Sequence, residues 1–393
     1  MSMAVGADKA LLEEQHAQSV YKHAILEQYL PRFIAKTGAL RTPVALVDGF
    51  AGTGRAGAGL GSAGLMLRAA LKMSKIVDTR LYLVEQDRTR HAQLAALTEE
   101  FAMAGVRAHA RQNSIEVELD AIIGASSNAS LFLFLDPCGA LLPFDRLVTT
   151  LTGSRSRRWP PTEAVLNLSA DLTRRASGQM LAGGADQRGA LRLDQVCGGT
   201  WWREVAARHA PHRGNGNYRR VAHEIAHEYA RRLGERTKMI PIVVPVARLE
   251  NHQPIYHLVF LTRSEHGVAT FADAVGRARP EWLAAMPTDP TDDDLFSLSG
   301  WPLLPTQEAR KRAIRERETT STAIEQNIVG LAQRLHSFRP LEHIPAIYGT
   351  TMGIACDTQI NLALRTLVAA GRLRIATPHR EPVRRTYRSI DQP

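Results

Sequence analysis

Short apolar runs alternate along most of the chain with longer stretches in which hydrophobic residues recur every three or four positions. Residues 10–36 place Leu11, Leu12, Tyr21, Ile25, Leu26 and Tyr29 on one helical face. Val44 to Val47 then make a short apolar strand that ends in Asp48 and a glycine-rich loop. A helix is expected over Ala63–Met73, a second strand ends at Glu85, and another helix spans about Arg88–Ala104. "VRAHARQNS" reads as a weaker third strand and "LFLFLD" as a fourth. "EAVLNLS", "IPIVVPV" and "YHLVFLT" are the fifth, sixth and seventh. Strands that alternate with helices predict a doubly wound α/β fold, a parallel sheet covered on both faces.

Two stretches interrupt this rhythm. Residues 172–238 are too long for a single crossover and predict an Arg-rich helical insertion between the fifth and sixth strands. From Ala278 to Pro305 the chain is rich in Pro and Asp with little periodicity, which predicts a boundary, and "TQEARKRAIRERE" follows as a basic helix. In the last 75 residues Ile324, Ile328, Leu331 and Leu335 recur at helical spacing, and a short helix follows "RPLEHIPAIYG". Asp357 is placed to cap a third helix bearing Ile360, Leu364, Leu367 and Val368, which Gly371 ends, and two short strands close the chain. Three helices and a hairpin are the winged-helix plan. The expected organisation is a domain over 1–295, a linker and basic helix over 296–318, and a winged-helix domain over 319–393.

Charge changes the picture more than overall composition does. The chain has 393 residues, 44% of them hydrophobic, and a formal net charge of +10. Residues 1–150 carry 15 Lys+Arg and 15 Asp+Glu, so the whole excess falls on the remainder. Basic surface confined to one part of a protein points to a polyanion such as nucleic acid, DNA or RNA. The preference for Arg over Lys also fits a GC-rich genome, but that bias does not explain the uneven placement. No apolar run approaches the ~20 residues of a membrane span, and no secretory signal is evident. The three cysteines, Cys138, Cys197 and Cys356, form neither a disulfide framework nor a metal-ligand spacing, which fits a cytoplasmic setting.

Candidate chemistry gathers where strands end. "VDGFAGTGRAG" joins an acid to a Gly-x-x-Gly-x-Gly loop whose backbone a ligand could approach closely. The segment Gly52–Gly57 also matches G-x-G-x-x-G, the dinucleotide fingerprint, and Glu85 at the next strand tip suits either kind of cofactor. The run Asp48-Gly49-Phe50-Ala51-Gly52-Thr53-Gly54 is more similar to the cofactor loop of class I S-adenosylmethionine-dependent methyltransferases. "LFLFLDPCG" separates the two, because amino-methylating enzymes of that fold carry an acid-Pro-Pro-aromatic sequence at the fourth strand tip. There a carboxylate and a backbone carbonyl take the hydrogens of an amine and aim its lone pair. A helix cap is the plain alternative for Asp136.

Cys138 opens a different route, since a Pro-Cys pair at this tip also occurs in enzymes that methylate cytosine at carbon 5 through a thiolate adduct. A small, buried, inert cysteine is the expectation for it. Gln112 and Asn113 follow the third strand, where a cofactor's adenine would lie. Arg174 and Arg175, after the fifth strand, suit a phosphate or solvent equally. His223-Glu224-Ile225-Ala226-His227 spells H-E-x-x-H, yet it lies inside the insertion and no third ligand is apparent, so no metal is expected.

Together these motifs resemble the three-Cys-motif partner protein family, a group of class I methyltransferase-like proteins. The resemblance runs over about residues 19–278 and rests on "YKHAILEQYL", "DGFAGTGRAG", "GSAG", "YLVEQD", "FLDPCG", "LNLS" and "YHLVFLTRSEHGVATFADAV". It implies a seven-stranded, Rossmann-like methyltransferase sheet. It also implies that Asp48, Phe50, Gly52, Gly54 and Glu85 bind S-adenosylmethionine, and Gly49, Gln112 and Asn113 complete the expected cofactor site. Asp136 and Pro137 would face the acceptor, and Cys138 stands where the family commonly has an aromatic residue. The family name further implies a cysteine-bearing, radical-SAM-like partner protein, and a C-terminal winged helix occurs with members of the group.

The expected function is therefore methyl transfer to a nucleic-acid base, at an exocyclic nitrogen, with Arg365, Arg372, Arg384 and Arg385 holding the polynucleotide. The alternatives are a C5-cytosine enzyme using Cys138, a methyltransferase of a small nucleoside or peptide, and a non-catalytic partner with a docking winged helix.

Overall fold

The structure, a computed structural model, describes residues 17–57, 59–182, 188–209, 215–250, 252–286 and 304–390. The first helix expected from residue 10 and most of the Pro- and Asp-rich passage lie partly outside those residues. Two compact units are present, with the boundary between Ser264 and Glu265.

The first unit is built on seven strands: β1 (Val44–Asp48), β2 (Thr79–Glu85), β3 (Arg107–Gln112), β4 (Ser130–Leu135), β5 (Thr162–Ser169), β6 (Ile240–Val246) and β7 (Tyr256–Thr262). They form one mixed, mostly parallel sheet in the order β3-β2-β1-β4-β5-β7-β6, a Rossmann-like arrangement. The expectation of a wholly parallel sheet needs correction, because β7 runs antiparallel to both β5 and β6. Only residues 247–255 join β6 to β7, and so short a connection can return the chain as a hairpin but not as a crossover. Pro241 and Pro245 are tolerated because β6 is an edge strand. The other edge, β3, carries Arg107 and Arg111, charges that discourage pairing with another chain.

Period-two alternation explains the layers. Leu131, Leu133 and Leu135 of β4 join a core with Ile115, Leu119 and Ile122 of α4 (Ile115–Ala125), Leu147 of α5 (Phe144–Thr152), and Trp202 and Tyr229 of the insertion. Phe132, between them, turns to the opposite face and packs against Tyr29 and Phe33 of α1 (Ala17–Gly38) at ring distances of 5.7 and 5.6 Å. The remaining sheet-covering helices are α2 (Ser62–Met73) and α3 (Arg88–Met103). Between β5 and β6 lie four helices: α6 (Ala170–Ala182), α7 (Arg188–Cys197), α8 (Trp201–Arg208) and α9 (Asn215–Thr237).

The second unit opens with α10 (Glu265–Arg277) and α11 (Arg279–Ala284), the latter inside the stretch that lacks sequence periodicity. Gly276 explains why α10 packs with this unit: a Cβ there would stand 2.1 Å from the Ala355 carbonyl oxygen. The basic helix α12 (Thr306–Thr319) is followed by α13 (Ser321–Leu335), strand β8 (Ser337–Phe338), α14 (Ile344–Tyr348) and α15 (Asp357–Ala369). Strands β9 (Leu373–Thr377) and β10 (Thr386–Ser389) complete a three-stranded antiparallel sheet in the order β8-β10-β9. Asp357 is not the cap of α15 but its first helical residue, after Cys356. Its backbone N–H donates to Asp273 of α10 and its carboxylate pairs with Arg277 at 2.9 Å, so α10 and α15 are clamped through charge.

Candidate active site

The strand order reverses between β1 and β4, and ligands of open α/β sheets bind outside the carboxyl ends of strands at such a point. Asp48 pairs in register with Leu83 on β2 and Phe134 on β4. Glu85 and Asp136 each lie two residues further on, so three carboxyl groups gather at one edge of the sheet.

Asp48 is fully buried, and its carboxylate accepts from the Phe50 N–H at 3.0 Å and the Ser62 hydroxyl at 2.6 Å. Burial raises its pKa to about 7 against the pull of those two donors, with Asp136 raising it further and Lys22 opposing. The loop that follows turns through Gly52 at φ +58° and Gly54 at φ +74°. The two glycines serve different ends. A Cβ on Gly54 would stand 2.6 Å from Leu97, so this glycine lets the loop pack on α3. A Cβ on Gly52 would meet nothing within 4 Å, leaving backbone open to an approaching ligand. A Cβ on Gly49 would collide with Leu135 at 2.5 Å, which presses the loop against β4. Phe50 packs, partly buried, against the sheet core.

Glu85 closes the loop from the β2 side. Its carboxylate accepts from the N–H groups of Gly52 at 3.0 Å and Asp87 at 2.7 Å, and Arg90 pairs with it at 3.1 Å. Asp87 caps α3 by accepting from the Arg90 N–H. Asn113 is engaged locally: its amide donates to Glu118 at 3.0 Å and its oxygen accepts from the Ser114 N–H. Gln112, beside Glu85 in the register, is exposed.

Beyond the buried β4 run stands Asp136. Lys22 of α1 donates to its Oδ2, and the Asn167 amide, on β5, donates to its Oδ1 at 2.5 Å. The Lys22 ammonium also lies 5.7 Å from the centre of the Tyr256 ring. Next to it, burial and Lys22 lower the His23 pKa to about 4, with Asp136 opposing. Pro137 is buried, whereas Cys138 is exposed, contrary to the buried thiol expected. Lys22, His23, Asn167 and Tyr256 were not singled out by sequence. The signal for Lys22 was present: it falls on the buried stripe Gln18, Ile25, Tyr29 and Phe33 of α1, where a charge demands a partner.

The arginines divide. Arg174 donates to the Pro254 carbonyl at 2.7 Å and to Asp171, while Arg175 is exposed beside the Asp171 carbonyl. In the second unit Arg365, Arg372 and Arg384 are exposed and Arg385 is half-buried, donating to the His379 carbonyl at 2.7 Å. Arg384 pairs with Glu381 at 2.8 Å. Sequence reading passed over Arg374 and Arg388, both exposed and directly opposite each other across β9 and β10.

The H-E-x-x-H string takes no part in this edge. Glu224 is held by Arg208 and His209, and the rings of His223 and His227 lie 4.4 Å apart. No group of three or more His, Cys, Asp or Glu among the described residues is placed to hold a metal ion. Nor is any helix among them long and apolar enough to cross a membrane.

Neither a protein-family profile nor a curated protein sequence matches the chain. Among solved structures, the methyltransferase domain of a bacterial Hen1 (CtHen1-CN) is 10% identical with a TM-score of 0.32, over 61% of this chain and 99% of that one. A geranyl diphosphate methyltransferase in complex with GPP and sinefungin is 12% identical with a TM-score of 0.27, over 58% of this chain and 78% of that one. YjhP of E. coli is 12% identical with a TM-score of 0.24, over 61% and 97%. Likeness at these scores bears no weight, and the site rests on its own geometry.

Proposed function

We propose that the chain is an S-adenosylmethionine-dependent methyltransferase that modifies an exocyclic amine of a nucleic-acid base. The observation that carries the reading is the meeting, at the switch point of the sheet, of an open glycine turn, a buried carboxylate and Asp136. The donor set suits the cofactor: Gly52 offers uncovered backbone, Glu85 Oε2 retains one lone pair beyond the Gly52 N–H for a ribose hydroxyl, and Asp48 adds a buried acid near the loop. Phe50, Gly54, Gln112 and Asn113 would complete that pocket. When bound, S-adenosylmethionine supplies an electrophilic methyl group whose C–S bonding pair stays with sulfur as the new N–C bond forms.

The chain's own part is alignment and charge. Asp136 accepts an amine hydrogen, which turns the nitrogen lone pair toward the reacting carbon, and Pro137 stiffens the turn that holds it. The proton released from nitrogen passes to the Asp136 carboxylate and on to water. A base inside a duplex cannot reach such a site, so it must be flipped out, at a cost of a few kcal/mol.

The polynucleotide reading rests on the second unit. Its order of helices and strands, α13-β8-α14-α15-β9-β10, fits a winged helix, and Arg365, Arg372, Arg374, Arg384, Arg385 and Arg388 offer phosphate contacts. Mass spectrometry of nucleosides from RNA and DNA of cells with and without the gene tests the proposal. An N-methylated base that disappears with the gene is the expected result, and an unchanged nucleoside profile counts against it.

A further inference from the structure

Lys22 sits at Asp136 by design of the packing rather than by chance. One turn before it, the Gln18 carbonyl accepts from the Tyr256 hydroxyl at 2.7 Å, and further along the Tyr29 hydroxyl donates to the buried Glu163. These two bonds fix the register of α1 on the sheet, so the helix can present only Lys22 to the β4 tip. The pair is withdrawn from water, with side-chain exposures of 12% for Lys22 and 14% for Asp136. An isolated carboxylate there would face the buried Asp48 without a countercharge, and Lys22 supplies one to both acids.

Asn167 adds a second feature. Its amide cannot be reversed, because its oxygen would then face Asp136 Oδ1 at 2.5 Å. In the orientation so fixed, Asn167 Oδ1 is buried and has no hydrogen-bond partner, although the residue is 8% exposed. An orphaned buried acceptor of this kind destabilises the fold unless something donates to it. Each Asp136 oxygen also keeps a lone pair beyond the donor it already has. Acceptor capacity just past the tip of β4 and on the adjacent β5 therefore remains unfilled.

We infer that this corner is a clamp for a group that gives two hydrogens, a neutral primary or exocyclic amine. Asp136 and Asn167 Oδ1 take one hydrogen each, and Lys22 is the positioning residue that holds Asp136 for them. A hydroxyl acceptor has one hydrogen to offer and a ring carbon none, so neither would satisfy both oxygens. The inference rests on the methyltransferase reading and adds to it the second acceptor of the amine, Asn167 Oδ1, and the residue that holds the first, Lys22.

The test is methyl transfer from tritiated S-adenosylmethionine to total RNA and genomic DNA of a strain lacking the gene. It is run with the full chain and with Lys22→Met, Lys22→Arg and Asn167→Leu, alongside S-adenosylhomocysteine calorimetry on each. A displaced carboxylate lowers turnover by about 100-fold. Lys22→Met and Asn167→Leu should therefore lose kcat on that scale while KM and S-adenosylhomocysteine affinity stay within about threefold. Lys22→Arg, which restores the countercharge, should recover at least about tenfold of the loss. The labelled product should be an N-methyl base. Lys22→Met turnover close to normal overturns the inference and leaves the methyltransferase reading standing, whereas a C- or O-methylated product overturns the inference together with the exocyclic-amine acceptor on which it rests. Loss of cofactor affinity in step with kcat reduces Lys22 to a structural role and also overturns it. Absence of transfer by the unaltered chain to either nucleic acid overturns the reading and the inference together.

Discussion

Lys22, in the first helix, is ion-paired with Asp136, 114 residues further along the chain at the tip of β4. His23 reports on this pair, since its pKa of about 4 is lowered by burial and by Lys22 and raised by Asp136. In an NMR titration, Lys22→Met should move the His23 midpoint up, because a neighbouring cation has gone. Asp136→Asn should move it down. Shifts of the same sign in both variants would mean that the three groups do not share a site.

The buried Asp48 should make stability depend on pH. Its pKa rises from 3.8 when unfolded to about 7 in the fold, so between those values the unfolded chain has released a proton that the native one retains. Stability contributed by protonated Asp48 is complete below pH ~4 and is lost as pH rises through ~7. That difference sets an upper limit of about 4 kcal/mol. Asp48→Asn should accordingly melt close to the unaltered protein at pH 4.5 and above it at pH 8. A constant difference across that range would show that Asp48 ionises normally in the fold.

Gly52 and Gly54 should respond differently to the same added methyl group. Both have positive φ, which costs alanine about 1–2 kcal/mol. Gly54→Ala in addition drives a Cβ into Leu97, adding about 1–3 kcal/mol of overpacking. Thermal melts should therefore rank Gly54→Ala well below Gly52→Ala. Gly52→Ala should nevertheless lose S-adenosylhomocysteine binding in calorimetry, because its methyl fills the open side of the loop. Retained affinity in a folded Gly52→Ala protein would place the cofactor elsewhere.

Arg374 and Arg388 face each other across β9 and β10, an arrangement that repels and so disfavours the sheet. Arg388→Glu should raise the melting temperature by turning repulsion into attraction, and should weaken binding to a polynucleotide. For each phosphate that the protein no longer neutralises, the slope of log affinity against log salt should flatten by about 0.7–0.9. An unchanged slope would remove this face from the nucleic-acid interface.

Periodicity made the sheet legible because each strand is a compact run of hydrocarbon bounded by polar residues. Asp48, Glu85 and Asp136 stood out because a buried strand delivers each of them to its end. The reversal of β7 was not legible from the pattern of its residues; it lies in the shortness of residues 247–255. Long-range pairing escaped as well. Lys22 meets Asp136, and Asn167 meets it from a neighbouring strand, only once the sheet is assembled. Asp357 has the composition of a cap, but the charge on Arg277 and the packing of α10 draw it into other work. Arg374 and Arg388 became a pair only through the register of the hairpin.

Calorimetric titration of the full chain with S-adenosylmethionine, repeated on Glu85→Ala, tests the central claim most directly. One site per chain with a dissociation constant on the order of micromolar is expected, about −8 kcal/mol of binding free energy. Affinity should fall by more than about tenfold in Glu85→Ala, a loss of at least ~1.4 kcal/mol. A chain that releases no heat with the cofactor, or a folded Glu85→Ala protein that binds it as tightly as the unaltered one, would contradict the account.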